Sequence, residues 1–140
     1  LLFIHNGYID NFRLTLYLPI RNQLCDDTYR SIHGNIDSEH IFALTIGQLK
    51  ANPSVDLATA LETGLKKLIQ LSQTYDTFFS ANMIISDGTQ LVAFRYSNRN
   101  VSPTLYYLAL FSRSSIFFRY DRCFRAYICR KLEKLPRYMK

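Results

Sequence analysis

Phe78-Phe79-Ser80-Ala81-Asn82-Met83-Ile84-Ile85, Ser86-Asp87-Gly88-Thr89 and Leu91-Val92-Ala93-Phe94-Arg95-Tyr96 stand almost end to end in the second half of the sequence. An extended apolar run, a turn-forming tetrapeptide and a second apolar run read as a β-hairpin. Asp-Gly supplies the positive φ that a tight reversal needs. The two strands are mostly apolar rather than alternating, which predicts a sheet covered on both faces.

Working upstream, Ile41, Phe42, Ala43, Leu44, Ile46 and Leu49 form a broad apolar stripe at helical spacing. Asp37 and Ser38 precede it, and both are good N-cap residue types. Asn52-Pro53 breaks this helix, and Ser54 or Asp56 opens another. Its Leu57, Leu61, Leu65, Leu68 and Ile69 share one face, with Lys66 and Lys67 opposite. The segment from Asn11 to Leu24 is ambiguous. Phe12, Leu16, Ile20 and Leu24 recur every fourth residue, whereas Phe12, Leu14, Leu16, Leu18 and Ile20 alternate, and Pro19 weakens both patterns. Helix is the preferred reading. Asp26 and Asp27 are read as caps of a short helix through Tyr29 and Ile32 that ends at Gly34. Leu1 to His5 reads as a strand that stops in a turn at Asn6-Gly7. No internal repeat is present.

A length of 140 residues corresponds to one domain. A composition 48% hydrophobic with only five Gly and four Pro excludes a collagenous or low-complexity chain. No apolar run reaches the roughly 18–20 residues that cross a bilayer, and Leu1-Leu2-Phe3-Ile4 lacks the basic flank of a signal peptide. Three cysteines cannot complete an intramolecular disulfide framework, so Cys25, Cys123 and Cys129 are read as reduced thiols of a cytoplasmic protein. The formal charge of +6 is unevenly placed. Residues 1–100 hold eight Lys/Arg and nine Asp/Glu, whereas residues 101–140 hold nine and two. Nine of the twenty Phe and Tyr also lie between Tyr106 and Tyr138.

Familiar catalytic constellations are mostly missing. The chain has no Gly-rich phosphate loop, CxxC, HExxH or GxSxG. His5, His33 and His40 lack a metal-binding spacing, and Cys123 and Cys129 bring no further ligands, so neither a metal nor a cofactor is expected. Two short segments remain. The Asn6 amide and the Gly7 backbone N–H can donate to one oxygen, as an oxyanion hole requires; one such donor is worth about 10²–10³ in rate. The Asp37 carboxylate, fixed by helix amides, can accept from a bound ammonium group. The commoner reading of Asn-Gly is a plain turn, and of Asp37 an N-cap.

Leu2-Phe3-Ile4-His5-Asn6-Gly7-Tyr8-Ile9-Asp10-Asn11-Phe12 resembles the (F/M)-x-H-N-G-x-I-x-x-F segment of class II glutamine amidotransferases. Gly34-Asn35-Ile36-Asp37-Ser38-Glu39-His40-Ile41-Phe42-Ala43-Leu44 is similar to their G-x-T-D-S-E-x-x-F-A-L segment, and the run from Ile84 to Tyr96 to their later hairpin. Three motifs in order are far more specific than one. The branch resembled most is the ergothioneine-biosynthesis type, whose relatives hydrolyse γ-glutamyl amides. The resemblance covers about residues 1–105 and implies an α+β fold, part of the αββα sandwich of N-terminal-nucleophile hydrolases truncated at both ends. It implies a glutamine or γ-glutamyl amide substrate, cleaved by an N-terminal Cys whose α-amine serves as base, through a thioester. Asn6 and Gly7 would bind the oxyanion and Asp37 the substrate α-ammonium group.

Two departures accompany the resemblance. The N-terminal Cys and an upstream Arg that grips the substrate carboxylate are not in the sequence, so this chain alone is expected to be inactive, a fragment. Ile36 stands where the family usually has Thr. Beyond residue 105, residues 106–140 form a basic aromatic tail, preferably read as a shifted reading frame. Its alternative is a basic helix, with Phe117, Tyr120, Phe124, Tyr127 and Ile128 at helical spacing among Arg119, Arg122 and Arg125. Such a helix would make the chain a small module binding nucleic acid or an anionic membrane. On the preferred reading neither partner is expected, and the sequence does not indicate an oligomeric state.

Overall fold

The hairpin forms as its sequence dictates, in a computed structural model that describes residues 1–99 and the backbone of residues 115–120 and 124–130. Strand β2 (Phe79–Ser86) turns at Asp87-Gly88 into β3 (Gln90–Ser97). Gly88 takes φ +88°, and the Asp87 carboxylate accepts from the Thr89 and Gln90 amides at 2.8 and 2.9 Å, closing the reversal. Phe79, Ala81, Met83 and Ile85 on one face are fully buried, and Ser80, Asn82 and Ser86 on the other are also buried.

Strand β1 (Leu2–Ile9) lies antiparallel on the far side of β2, from Leu2↔Ser86 to Ile9↔Phe79. Asn6-Gly7 is therefore not a turn. The ladder with β2 runs unbroken through both residues, and reversal is deferred to Asn11, the first residue with positive φ (+49°). Arg99 closes this end of the sheet, pairing with Asp10 and lying over the Tyr8 and Phe78 rings.

Between β1 and β2 the chain builds a helical layer on one sheet face. The segment from Asn11 makes a run of turns, and only α1 (Tyr17–Arg21) is regular helix. Pro19 fits because it occupies the first turn, where backbone N–H groups have no intrahelical acceptor. Buried Leu16 and Ile20 anchor the segment; burying such a side chain contributes roughly 1.5–3 kcal/mol, enough to offset poor helix propensity. Helix α2 (Asp26–Tyr29) is capped by Cys25 and ends at Arg30, before Gly34; Asp26 and Asp27 lie in its first turn, where carboxylates complement the helix dipole.

Helices α3 (Asp37–Ala51) and α4 (Leu57–Thr74) pack on each other and over the sheet. Helix α4 buries Leu57, Ala60, Leu61, Gly64, Leu65 and Leu68 on one face, and Asp56 is its N-cap, accepting from the Thr59 amide at 2.7 Å. The cap of α3 differs from the sequence reading. Ile36 holds that position with no side-chain hydrogen bond, and Asp37 is the first helical residue.

The basic tail contains two strands where helical spacing suggested a helix. In chain order they are β4 (Ser115–Tyr120) and β5 (Phe124–Arg130), and β5 pairs with β3 from Gln90↔Arg130 to Tyr96↔Phe124. Aromatic and β-branched residues favour strand as readily as an apolar helix face when a sheet edge is available. The order is β1-β2-β3-β5-β4. Cys123 and the rest of the tail lie outside the described residues.

Ile36 is 58% exposed and uncapped, so Ile36→Thr would supply the missing hydroxyl while sacrificing little burial. It is expected to stabilise the protein by about 1 kcal/mol, raising the thermal midpoint by about 3–5 °C. An unchanged or lowered midpoint contradicts this account of the α3 cap.

Candidate active site

The site is built on the open side of β1. Backbone N–H groups alternate sides along a strand. The Asp10 N–H donates to the Phe78 carbonyl beside β2 at 2.9 Å, so that of Ile9 points away from β2. It meets the Asp37 Oδ2 atom at 3.0 Å. The Gly7 N–H, two residues back and about 7 Å along the strand, faces the same open side. Among the described residues no strand pairs with this side of β1.

Asp37 is held from two directions. Its Oδ1 accepts from the Ser38 amide at 2.7 Å, at the first turn of α3, while Oδ2 accepts from Ile9. The Ser38 amide and an edge-strand amide thus fix a carboxylate whose Oδ2 keeps a second lone pair for a cationic ligand. An open cleft of about 460 Å³ lies alongside, lined by Asn11, Phe12, Arg13, Asn35, Ile36 and Asp37 among others.

His5 completes the connection. Its side chain shares the helix-facing side of β1 with Gly7, and its Nδ1 is 2.8 Å from Ser38 Oγ. A Cβ at position 7 would fall 2.1 Å from the Ser80 carbonyl oxygen and 2.7 Å from His5 Nε2, so only glycine fits there. Asn6 faces the other way, in a cross-strand row with Asn82 and Arg95, and is exposed. The structure therefore brings Gly7 and Asp37 to one side of β1 and places the Asn6 side chain on the opposite sheet face.

Residues 1–117 match the family model of class II glutamine amidotransferases. The chain belongs to that family. The match runs past residue 105, where the motif resemblance stops. A solved glutamine aminotransferase class-II domain protein from Silicibacter pomeroyi is similar to this chain, with 28% identity and a TM-score of 0.56 over 91% of the chain. The alignment covers 54% of that protein, so the chain spans about half its length. No curated protein matches the chain.

In this chain, two histidines that sequence reasoning left without a role flank the site. The signals for His5 were its place in the H-N-G segment and its being a polar residue in an apolar strand on the face of Phe3 and Ile9, and neither assigned it a role. His40 is fully buried behind Asp37 on α3. Its Nδ1–H donates to the Ile36 carbonyl at 2.8 Å, and its Nε2 accepts from Arg21 Nε at 2.9 Å. Arg21 lies over the Tyr17 and Tyr29 rings and donates to the Tyr29 hydroxyl. Among the described residues no three His, Cys, Asp or Glu side chains converge as a metal site would need.

Burial lowers the pKa of His5, against the opposing charge of Asp37, and also that of His40, where the Arg21 charge adds to it and the Ile36 carbonyl opposes it. Both rings are neutral in the folded protein at neutral pH. The unfolded chain gains protons as pH falls through the ordinary histidine value of 6.5, before the folded state does. Their contribution to stability is therefore full above that value and is lost as pH falls below it toward the depressed folded-state values. The urea midpoint is expected to fall between pH 7.5 and 5.5, and less steeply in His40→Gln. An identical midpoint at the two pH values contradicts this.

Proposed function

We propose that this chain forms the glutamine-binding half-site of an amidotransferase that cleaves a γ-glutamyl amide, in the manner of the ergothioneine-biosynthesis branch. One observation carries the reading: the Gly7 N–H and the Asp37 carboxylate face the same open side of β1, about two residues apart. A glutamine side chain can bridge that spacing, with its γ-carbonyl oxygen at Gly7 and its α-ammonium group at Asp37. Asn6 projects its side chain from the opposite sheet face, and would add a second oxyanion donor by turning its side-chain amide toward the open edge of β1.

The chemistry that fits this arrangement is acyl transfer through a cysteine thioester. The thiol adds to the γ-carbonyl carbon, and the oxygen takes the charge facing Gly7. The carbon–nitrogen bond then breaks, and the leaving amine departs with a proton from the nucleophile's α-ammonium group. Water hydrolyses the thioester to a γ-carboxylate and restores the thiol. Each cysteine in this sequence carries an acylated nitrogen, so none joins a thiol to a free amine. We expect the complete fold to be the four-layer αββα sandwich, with a second sheet against the face that bears Asn6, Asn82 and Arg95. Leu2 and Ile4 on that face are 62% and 52% exposed, which accords with such a cover. Exposed, unbridged Cys25 accords with a reducing cytoplasmic setting.

The test is glutamine-dependent release of glutamate and ammonia by the natural full-length protein. Asp37→Asn is expected to raise KM for glutamine about 30-fold with little change in kcat, since a charge-assisted hydrogen bond contributes about 2 kcal/mol. Absence of turnover in the wild type, or an unchanged KM in the variant, overturns the proposal.

A further inference from the structure

We infer that His5 is a positioning residue that couples the two ends of the proposed glutamine site, setting Asp37 against the strand that carries Gly7. The inference rests on the reading of Gly7 and Asp37 as substrate groups. Its geometry is independent of that reading. The His5 ring shares a strand face with Gly7 and stands within 2.7 Å of where a Cβ at position 7 would lie. From there its Nδ1 reaches Ser38 Oγ at 2.8 Å, across a sequence separation of 33 residues. Ser38 gives its amide to Asp37 Oδ1, and Asp37 Oδ2 returns to β1 at the Ile9 amide. The result is a closed circuit: His5 to Ser38, Ser38 to Asp37, Asp37 to Ile9, and four residues back along β1 through Gly7 to His5.

A single hydrogen bond from Asp37 to Ile9 leaves the carboxylate free to pivot about that contact. The second tether, through Ser38 and His5, removes the pivot, because it fixes the first turn of α3 at another point on the same strand. The imidazole has the right form for this task. It is rigid, its ring fills the space above Gly7, and it projects one nitrogen onto α3. Phe3, one position back on the same face, stacks on Phe42 of α3 with ring centroids 4.8 Å apart and holds the strand-to-helix distance that the His5 bond spans. The Nδ1 contact to Ser38 works with either partner as donor, so a side chain offering both a donor and an acceptor near that position preserves it. Asparagine does so, and leucine, of similar bulk, does not.

The test compares His5→Leu, His5→Asn, Ser38→Ala and the double variant His5→Leu/Ser38→Ala in the natural full-length protein. Hydrogen exchange at the Ile9 amide reports the seat of Asp37, with the Asp10 amide, bonded to Phe78, as internal control. His5→Leu and Ser38→Ala are each expected to speed Ile9 exchange about tenfold relative to Asp10 and to raise KM for glutamine about tenfold, the scale on which misplaced groups lose effect. His5→Asn should stay within about threefold of wild type, and the double variant should lose no more than either single one, as members of one chain of contacts do. Losses that multiply, an asparagine variant as impaired as the leucine one, or unchanged Ile9 exchange in Ser38→Ala overturns the inference. Should His5→Leu fail to fold, Ser38→Ala and His5→Asn still decide it. If the wild type turns over no glutamine, the functional reading falls, and Ile9 exchange alone judges the role of His5.

Discussion

The Asp37–Ile9 hydrogen bond is the constraint on which the rest of the site depends. An edge strand presents every second N–H to the outside, and such groups invite pairing with another chain. Here one of them is given a fixed carboxylate from the first turn of a helix. That contact decides where α3 begins relative to β1, and it leaves the N–H two residues earlier, at Gly7, pointing to the same side. One interaction thus seats a helix against the strand and sets the spacing between a hydrogen-bond donor and an anionic acceptor.

Maintaining that spacing requires close packing around residues with no hydrophobic reason to be buried. Gly7 has no room for a side chain because the Ser80 carbonyl and the His5 ring already occupy it. His40 sits behind Asp37 with both ring nitrogens engaged, and Phe12 and Tyr17 press on its ring at 5.0 Å. Neutral buried imidazoles are costly to protonate, so the fold keeps the surroundings of Asp37 free of competing histidine charge at neutral pH. The core behind them, from Leu44 through Leu61, Leu65 and Leu68 to Met83 and Phe94, is ordinary apolar packing and needs no functional explanation.

Much of this was legible in the sequence where local chemistry and long-range packing agree. The Asp87-Gly88 hairpin, the two long helices, the Asp56 cap and the family motifs all follow from neighbouring residues. The errors lie where tertiary context overrides local preference. Asn6-Gly7 has turn chemistry, yet eight consecutive pairings with β2 hold it extended. Asp37 has cap chemistry, yet its carboxylate is drawn to Ile9, leaving Ile36 to stand uncapped. Phe117, Tyr120, Phe124, Tyr127 and Ile128 carry helical spacing, but the free side of β3 recruits β5 as strand and β5 in turn pairs with β4. The partnership of His5 with Ser38 links residues 33 positions apart and leaves no periodic trace. The charge asymmetry between residues 1–100 and 101–140 gave no guide to the strands β4 and β5.

The account is tested most directly by amide spectra of the protein titrated with L-glutamine and, separately, with glutaramate, the same molecule without its α-amino group. If the open side of β1 is the substrate seat, L-glutamine will shift the Gly7 and Ile9 amide resonances together in one saturable transition, and glutaramate will bind at least tenfold more weakly for want of the Asp37 contact. Equal affinity for the two ligands, or shifts that spare Gly7 and Ile9, would contradict it.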